Sequence, residues 1–171
     1  MVKITTATEA HIAIIQEIAH KTWPVTFRDI LSTEQISYML DMMYSQEALL
    51  DQTLVMRHKF LLASFSDNFT KETYIGYASC RVNQSDSGKT KIHKIYILPQ
   101  FQGRGAGLAL IKEIELIALE SGDKALFLNV NKSNPAIEFY QKLGFRIVKE
   151  ETIPIGNGFF MDDYVMEKAL F

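Results

Sequence analysis

The 171-residue chain has a single cysteine, Cys80, so no internal disulfide can form. It has no apolar run long enough to span a bilayer, no signal-peptide pattern and no lipidation motif. The expectation is therefore a cytoplasmic protein without a membrane partner. It also lacks an excess of either charge. Lys and Arg total 18 against 20 Asp and Glu, and a formal net charge of -2 excludes the basic footprint of a nucleic-acid binder. His11, His20 and His58 stand at no metal-ligand spacing, so no metal site is expected. No internal repeat and no linker-like stretch interrupts the chain, which predicts one domain over residues 1–171. With 47% hydrophobic and 22% charged residues, the composition is that of a globular protein able to bury a full core.

Periodicity supplies the element order. VKITTA (2–7) alternates as a short strand, and Thr8 is placed to cap a helix over about 9–21, followed by TWPVTFRDIL, which Pro24 breaks. Ser32 with Gln35 resembles a capping box for a helix to about Tyr44, and Ser45 caps another over about 46–58. FLLASFS (60–66) and TYIGYASCRV (73–82) read as a hairpin around the polar turn SDNFTKE, with a further strand at 91–98. A helix over about 104–120 ends at Gly122. A buried strand follows at 125–130, then a short helix with Pro135 in its first position. Strands at 146–151 and 158–170 close the chain, separated by a turn near Gly156. One strand–helix–strand–helix unit inside a hairpin-rich sheet predicts an α+β fold with a central mixed sheet. Cys80, with no paired histidine signature, reads as a core thiol.

Glycine is concentrated in QGRGAGLA (102–109), where a strand hands over to a helix. Bare backbone there lets an anion approach the unpaired N–H groups and positive dipole of a helix start. A tight turn that only eases helix–sheet packing is the alternative. A Walker A loop fails because Leu108 and Ala109, not Lys-Ser/Thr, follow Gly107. A dinucleotide fingerprint fails in both frames, since Leu108 or Leu110 falls where a small residue must stand. The pattern that fits is Gln102-x-x-Gly105-x-Gly107 directly after a strand.

This pattern resembles the coenzyme A loop of the GNAT superfamily of N-acetyltransferases. A second family motif follows at Asn134-Pro135-Ala136-Ile137-Glu138-Phe139-Tyr140, then Gly144-Phe145. Together the two span about 91–147, about a third of the chain. TWPVTF and SYMLDMMYS look similar to the bacterial branch that includes polyamine acetyltransferases. The resemblance implies a GNAT-like three-layer α+β fold whose central, mostly antiparallel sheet splays around the acetyl-CoA site between flanking helices. It implies that backbone N–H groups from Gln102 through Gly103, Arg104, Gly105, Ala106 and Gly107 bind the pyrophosphate of acetyl-CoA. Ile97 and Leu98 would hold the pantetheine, and Asn134 would contact the cosubstrate, although a helix-capping role suits Asn134 equally. Tyr140 matches the position that protonates the departing thiolate. Its helical spacing with Ala136, Phe139 and Leu143 also suits a core aromatic.

An acceptor amine of pKa ~10.4 must lose a proton before it attacks. Many family members carry a Glu on the strand before the loop, but Lys91 occupies that position here and reads as a solvated strand charge. His93, on the same strand face, is a candidate base, with an exposed strand histidine as the plainer reading. Trp23, Phe27, Tyr38 and Tyr44 are candidates for an aromatic acceptor pocket, and Asp41, Asp162 and Asp163 for carboxylates facing a cationic amine. For each, a structural role is the alternative. The function implied is direct acetyl transfer in a ternary complex to a primary amine, such as a polyamine. A protein N-terminus or lysine as acceptor, or a coenzyme A-binding module without catalysis, are the alternatives. A homodimer is implied by the resemblance only.

Overall fold

A computed structural model describes residues 1–67, 69 and 71–171. The turn read at SDNFTKE includes Asn68 and Thr70, which lie outside the described residues. The chain falls into two compact units, Met1–Arg81 with Lys94–Ile114, and Val82–His93 with Glu115–Phe171.

In the first unit, β1 (Val2–Thr6) pairs antiparallel with β2 (Lys59–Phe65), which pairs antiparallel with β3 (Thr73–Arg81). Three helices precede β2. A 3-10 turn at Glu9–His11 leads into α1 (Ile12–Phe27), followed by α2 (Thr33–Tyr44) and α3 (Gln46–Leu54). The serine caps form as their spacing predicts. Ser32 Oγ accepts from the Gln35 N–H and Ser45 Oγ from the Ala48 N–H, both at 3.1 Å.

Helix α1 departs from expectation by running through Pro24 to Phe27. An interior proline costs about 3 kcal/mol. Ile15, Ile18, Ala19, Thr22, Trp23 and Phe27 form one buried stripe, while Pro24 is exposed. Fully burying a large apolar side chain stabilises by about 1.5–3 kcal/mol. Keeping Trp23 and Phe27 on that stripe thus offsets the lost backbone bond.

Strand β4 (Lys89–Ile97) runs through both units, and α4 (Ala106–Glu120) follows it. In the second unit β4 pairs parallel with β5 (Ala125–Asn131), from Lys89 opposite Ala125 to Ile92 opposite Leu128. Helix α5 (Ala136–Lys142) leads to β6 (Arg146–Gly156) and β7 (Phe159–Ala169). β7 is antiparallel to both β5 and β6, and the strand order is β1-β2-β3-β4-β5-β7-β6. The expected mixed sheet with α+β order is therefore present.

Alternation on β5 separates two faces of the second unit. Leu126, Leu128 and Val130 are buried, as are Met166, Tyr140 and Phe145. Phe127, Asn129 and Asn131 take the opposite face. At one end of this sheet, Asp123 is 2% exposed, and its Oδ2 accepts from Thr90 Oγ1 at 2.6 Å and from the Asn83 N–H at 2.7 Å. Asp123→Ala strands both donors. The expected loss is about 2–4 kcal/mol of unfolding free energy in denaturant titrations. A loss below about 0.5 kcal/mol, the scatter of neutral surface changes, would show that the carboxylate is dispensable.

Candidate active site

The anion loop opens α4 within the first unit. A 3-10 turn at Pro99–Phe101 takes the chain off β4. Gly103 and Gly105 then sit at φ +75° and +85°, a region costly for residues with a Cβ. Gln102, Gly103, Arg104 and Gly105 are exposed, and a Cβ built on Gly103 or Gly105 meets nothing within 4 Å. Helical bonding is under way once the Ala109 N–H reaches Gly105 O at 2.9 Å, with Ala106 buried as the footing. The result is an open, glycine-lined helix start, and it fits a diphosphate approaching the main chain. The Arg104 guanidinium lies 5.2 Å from the Phe65 ring centroid and 5.4 Å from that of Phe101, which holds a cation beside the loop.

Both polar backbone groups of Leu98 are engaged. Its N–H donates to Ile75 O at 2.8 Å and its carbonyl accepts from Phe101 N–H at 2.9 Å. The Ile97 carbonyl receives a long 3.4 Å bond from the exposed Gln102 amide.

In the second unit, Asn134 Oδ1 accepts from the Ala136 N–H at 2.9 Å, satisfying a free donor at the start of α5. The capping role is thus filled. Tyr140, on α5, is 7% exposed and packs against Phe139 and Phe145 at centroid distances of 5.4 and 5.7 Å. Burial raises its pKa well above the ordinary phenol value, so the hydroxyl stays protonated. His93 is half-buried, with Nε2 3.4 Å from Gln84 Oε1.

Lys91 is not the solvated charge expected from sequence. It is half-buried, its ammonium lies 5.8 Å from the Phe127 ring centroid, and burial lowers its pKa. Asp163 is 6% exposed, and burial pushes its carboxyl up to about 6. Asp162 next to it is exposed, 3.1 Å from Lys132 Nζ and 3.2 Å from Thr152 Oγ1. Asn129 and Glu151, which sequence reasoning missed, join Asp163. Asn129 Nδ2 donates to Glu151 Oε2 at 2.9 Å, and Glu151 stands directly opposite Asp163 in the β6–β7 register. The available signal was the pair of amides at alternate positions of ALFLNVN.

The aromatic candidates on the helices are mostly interior. Trp23, Phe27 and Tyr44 are 1–3% exposed. Trp23 Nε1 donates to Tyr44 Oη at 3.3 Å, and Tyr77 Oη donates to the same oxygen at 2.7 Å. Burial raises the pKa of both tyrosines. Tyr38 is half-buried and Asp41 exposed, so these two keep accessible surface. Buried Lys94 donates to Gln52 Oε1 at 2.6 Å and lies 5.6 Å from the Tyr44 ring centroid. Cys80 is fully buried, its thiol pushed up to about 11, as befits a core thiol. Among the described residues, no helix is long and apolar enough to cross a membrane.

Residues 15–145 match the acetyltransferase (GNAT) family profile. The PaiA N-acetyltransferase of Thermoplasma acidophilum, solved in complex with coenzyme A, is 25% identical. It superposes with a TM-score of 0.80 over 99% of each chain. A spermidine N(1)-acetyltransferase of the same organism is 29% identical over 153 residues, covering 89% of this chain and 87% of that protein. An N-acetyltransferase of Mycobacterium tuberculosis is 28% identical over 154 residues, covering 90% of this chain and 94% of its own length. This chain therefore belongs to the acetyltransferase (GNAT) family, as an N-acetyltransferase that draws its acetyl group from acetyl-CoA.

Proposed function

We propose that the protein acetylates a small primary amine of the polyamine class by direct transfer. One observation carries this reading above all: an exposed loop with two glycines at positive φ opens α4 and leaves main-chain N–H groups open to a diphosphate. The similarity to a spermidine N(1)-acetyltransferase supports the acceptor class. When bound, acetyl-CoA supplies a thioester whose carbonyl the neutral amine attacks.

The chain's own residues bind, orient and move protons. The main chain from Gln102 to Gly107 holds the diphosphate, Arg104 adds positive charge, and the Ile97 carbonyl offers a strand-like partner to the pantetheine amides. Tyr140 donates a proton to the departing sulfur. The departing thiolate, whose thiol has pKa ~8.5, is a weaker base than the phenolate left behind, whose phenol has pKa ~10, so in water this transfer runs uphill. Burial raises the Tyr140 phenol further and desolvation raises the thiol as well, so the two shifts oppose each other and the uphill step is drawn forward by loss of the thiol product from the site.

Tyr140→Phe keeps the ring and its packing while removing the proton. The expected result is a kcat about 100-fold lower with an unchanged KM for acetyl-CoA. Full turnover in this variant would remove Tyr140 from the chemistry. The acceptor reading is tested by thiol release from acetyl-CoA against polyamines, amino acids, aminoglycosides and short peptides. Polyamines should give the highest kcat/KM. Preference for a peptide would move the acceptor to a protein amine.

A further inference from the structure

We propose that Asp163 takes the proton released by the acceptor ammonium, directly or through one water, while Glu151 opposite it holds that ammonium. The proposal rests on the acetyl-transfer reading above and assigns its proton acceptor. It starts from a row across three strands. Glu151 on β6 stands opposite Asp163 on β7, which stands opposite Asn131 on β5, so the three share one sheet face. Asn129 and Lys91 project from the same face.

Within this row Asp163 is 94% out of solvent, taking its 6% exposure as the remainder, and its Oδ1 has no hydrogen-bond partner. A buried carboxylate oxygen without a donor costs free energy until a proton or cation arrives. An ammonium, or a water passing on its proton, supplies what is missing.

The two carboxyls are driven apart. Burial raises Asp163, opposed by its hydrogen bond to Asn129, and the charges of Asp162 and Glu151 add to the rise. Glu151 is held low by hydrogen bonds from Lys149 and Asn129. Paired carboxyls separated in this way divide the work into proton acceptor and permanent anion. The charges facing Asp163 are Asp162 on its own strand, Glu151 on β6 and Lys91 on β4, while Lys149 on β6 pairs with Glu151. The Asn129 hydrogen bond and, more weakly, the Lys91 charge oppose the rise.

The protons balance. Of the three on the ammonium nitrogen, one stays in the amide, one ends on the coenzyme A sulfur, and one leaves to solvent. Asp163 takes that last one, and the freed electron pair forms the new C–N bond as the C–S bond breaks.

The test compares wild type with Asp163→Asn and Glu151→Gln, using the amine that turns over best in the panel. Wild-type kcat/KM should rise through about pH 6. This limb should barely move with temperature, because carboxyl ionisation carries little heat, whereas a limb set by an imidazole would shift. Asp163→Asn should lose about 100-fold in kcat near pH 7, lose the limb, and recover as pH approaches the amine's own pKa. Glu151→Gln should mainly raise the amine KM. Wild-type kcat and an intact limb in Asp163→Asn would overturn the proposal while leaving acetyl transfer standing.

A readout independent of turnover separates the two claims. Carbon-13 NMR should show the Asp163 carboxyl titration falling by about one pH unit on adding spermidine or propylamine, the effect of a nearby cation. An unmoved titration with both amines overturns the assignment whether or not any amine is acetylated.

The variant also reports its own folding. Asp163 is raised above its unfolded value of 3.8, so the native state binds the extra proton between about pH 4 and 6. Wild-type stability therefore falls as pH rises across that window. Asp163→Asn should melt a few degrees above wild type at pH 7, with the gain vanishing below about pH 4.

Discussion

Gly105→Val is expected to raise the KM for acetyl-CoA about 100-fold, which is ~2.7 kcal/mol of binding. Glycine holds φ at +85° there without strain, and a β-branched residue does not. Strain of this kind costs on the order of 1–3 kcal/mol. The loop relieves it by rotating toward negative φ, which turns the flanking N–H groups away from the diphosphate. A Cβ at this position meets nothing within 4 Å, so steric clash with the body of the protein is not the cause. The melting temperature should therefore stay close to that of wild type while binding fails. Gly105→Ala should show the same effect at roughly a tenth of the size, because alanine enters the left-handed region more readily than valine. A KM within threefold of wild type in Gly105→Val would mean that the loop's conformation does not hold the cosubstrate.

Gly76→Ala is expected to cost about 2–3 kcal/mol of stability, for the opposite reason. Its φ is not positive, and the constraint is space. A Cβ on Gly76 would lie 2.4 Å from Ile97 Cδ1, 2.7 Å from the Tyr96 carbonyl oxygen and 3.3 Å from Ile97 Cα. The isoleucine tip can swing away, but a backbone carbonyl and Cα in a paired strand cannot move without loosening the ladder. The β2–β3 register shifts beside this glycine, with Ala63 opposite Gly76 and Ser64 opposite Tyr74. Ile75 is the extra residue of a bulge, which bends the strand locally. Urea unfolding should show a lower midpoint with an unchanged slope. Because Ile97 precedes the anion loop, the KM for acetyl-CoA should rise as well. A stability loss below about 0.5 kcal/mol would mean that β4 yields freely at Tyr96 and Ile97.

What sequence revealed is what short-range chemistry determines. Ser32 and Ser45 cap their helices because a hydroxyl and an N–H three residues on are neighbours in any helix start. The strand–loop–helix around residues 102–107 was legible because positive φ at Gly103 and Gly105 is a local need that glycine meets. Features fixed by distant neighbours were not legible. Pro24 stays inside α1 because Trp23 and Phe27 have a core to fill, and no local rule reports that core. Sequence leaves Trp23 and Tyr44 open as pocket or core aromatics; in the structure they bond to each other and Tyr77 joins them. Gly76 is a long-range constraint of a kind that an isolated glycine in a strand pattern can signal, since such a glycine marks close backbone approach. Asp163 looked no different from Asp162 in the sequence. Strand alternation buries one and exposes the other, and β6 brings Glu151 opposite the buried one.

Backbone amide NMR during titration with coenzyme A tests the anion loop most directly. The N–H signals of Gly103, Gly105 and Gly107 should shift at the lowest ligand concentrations and saturate together, with an apparent affinity that weakens as salt rises. Saturable binding that leaves these three amides unmoved, or no binding at all, would contradict the account.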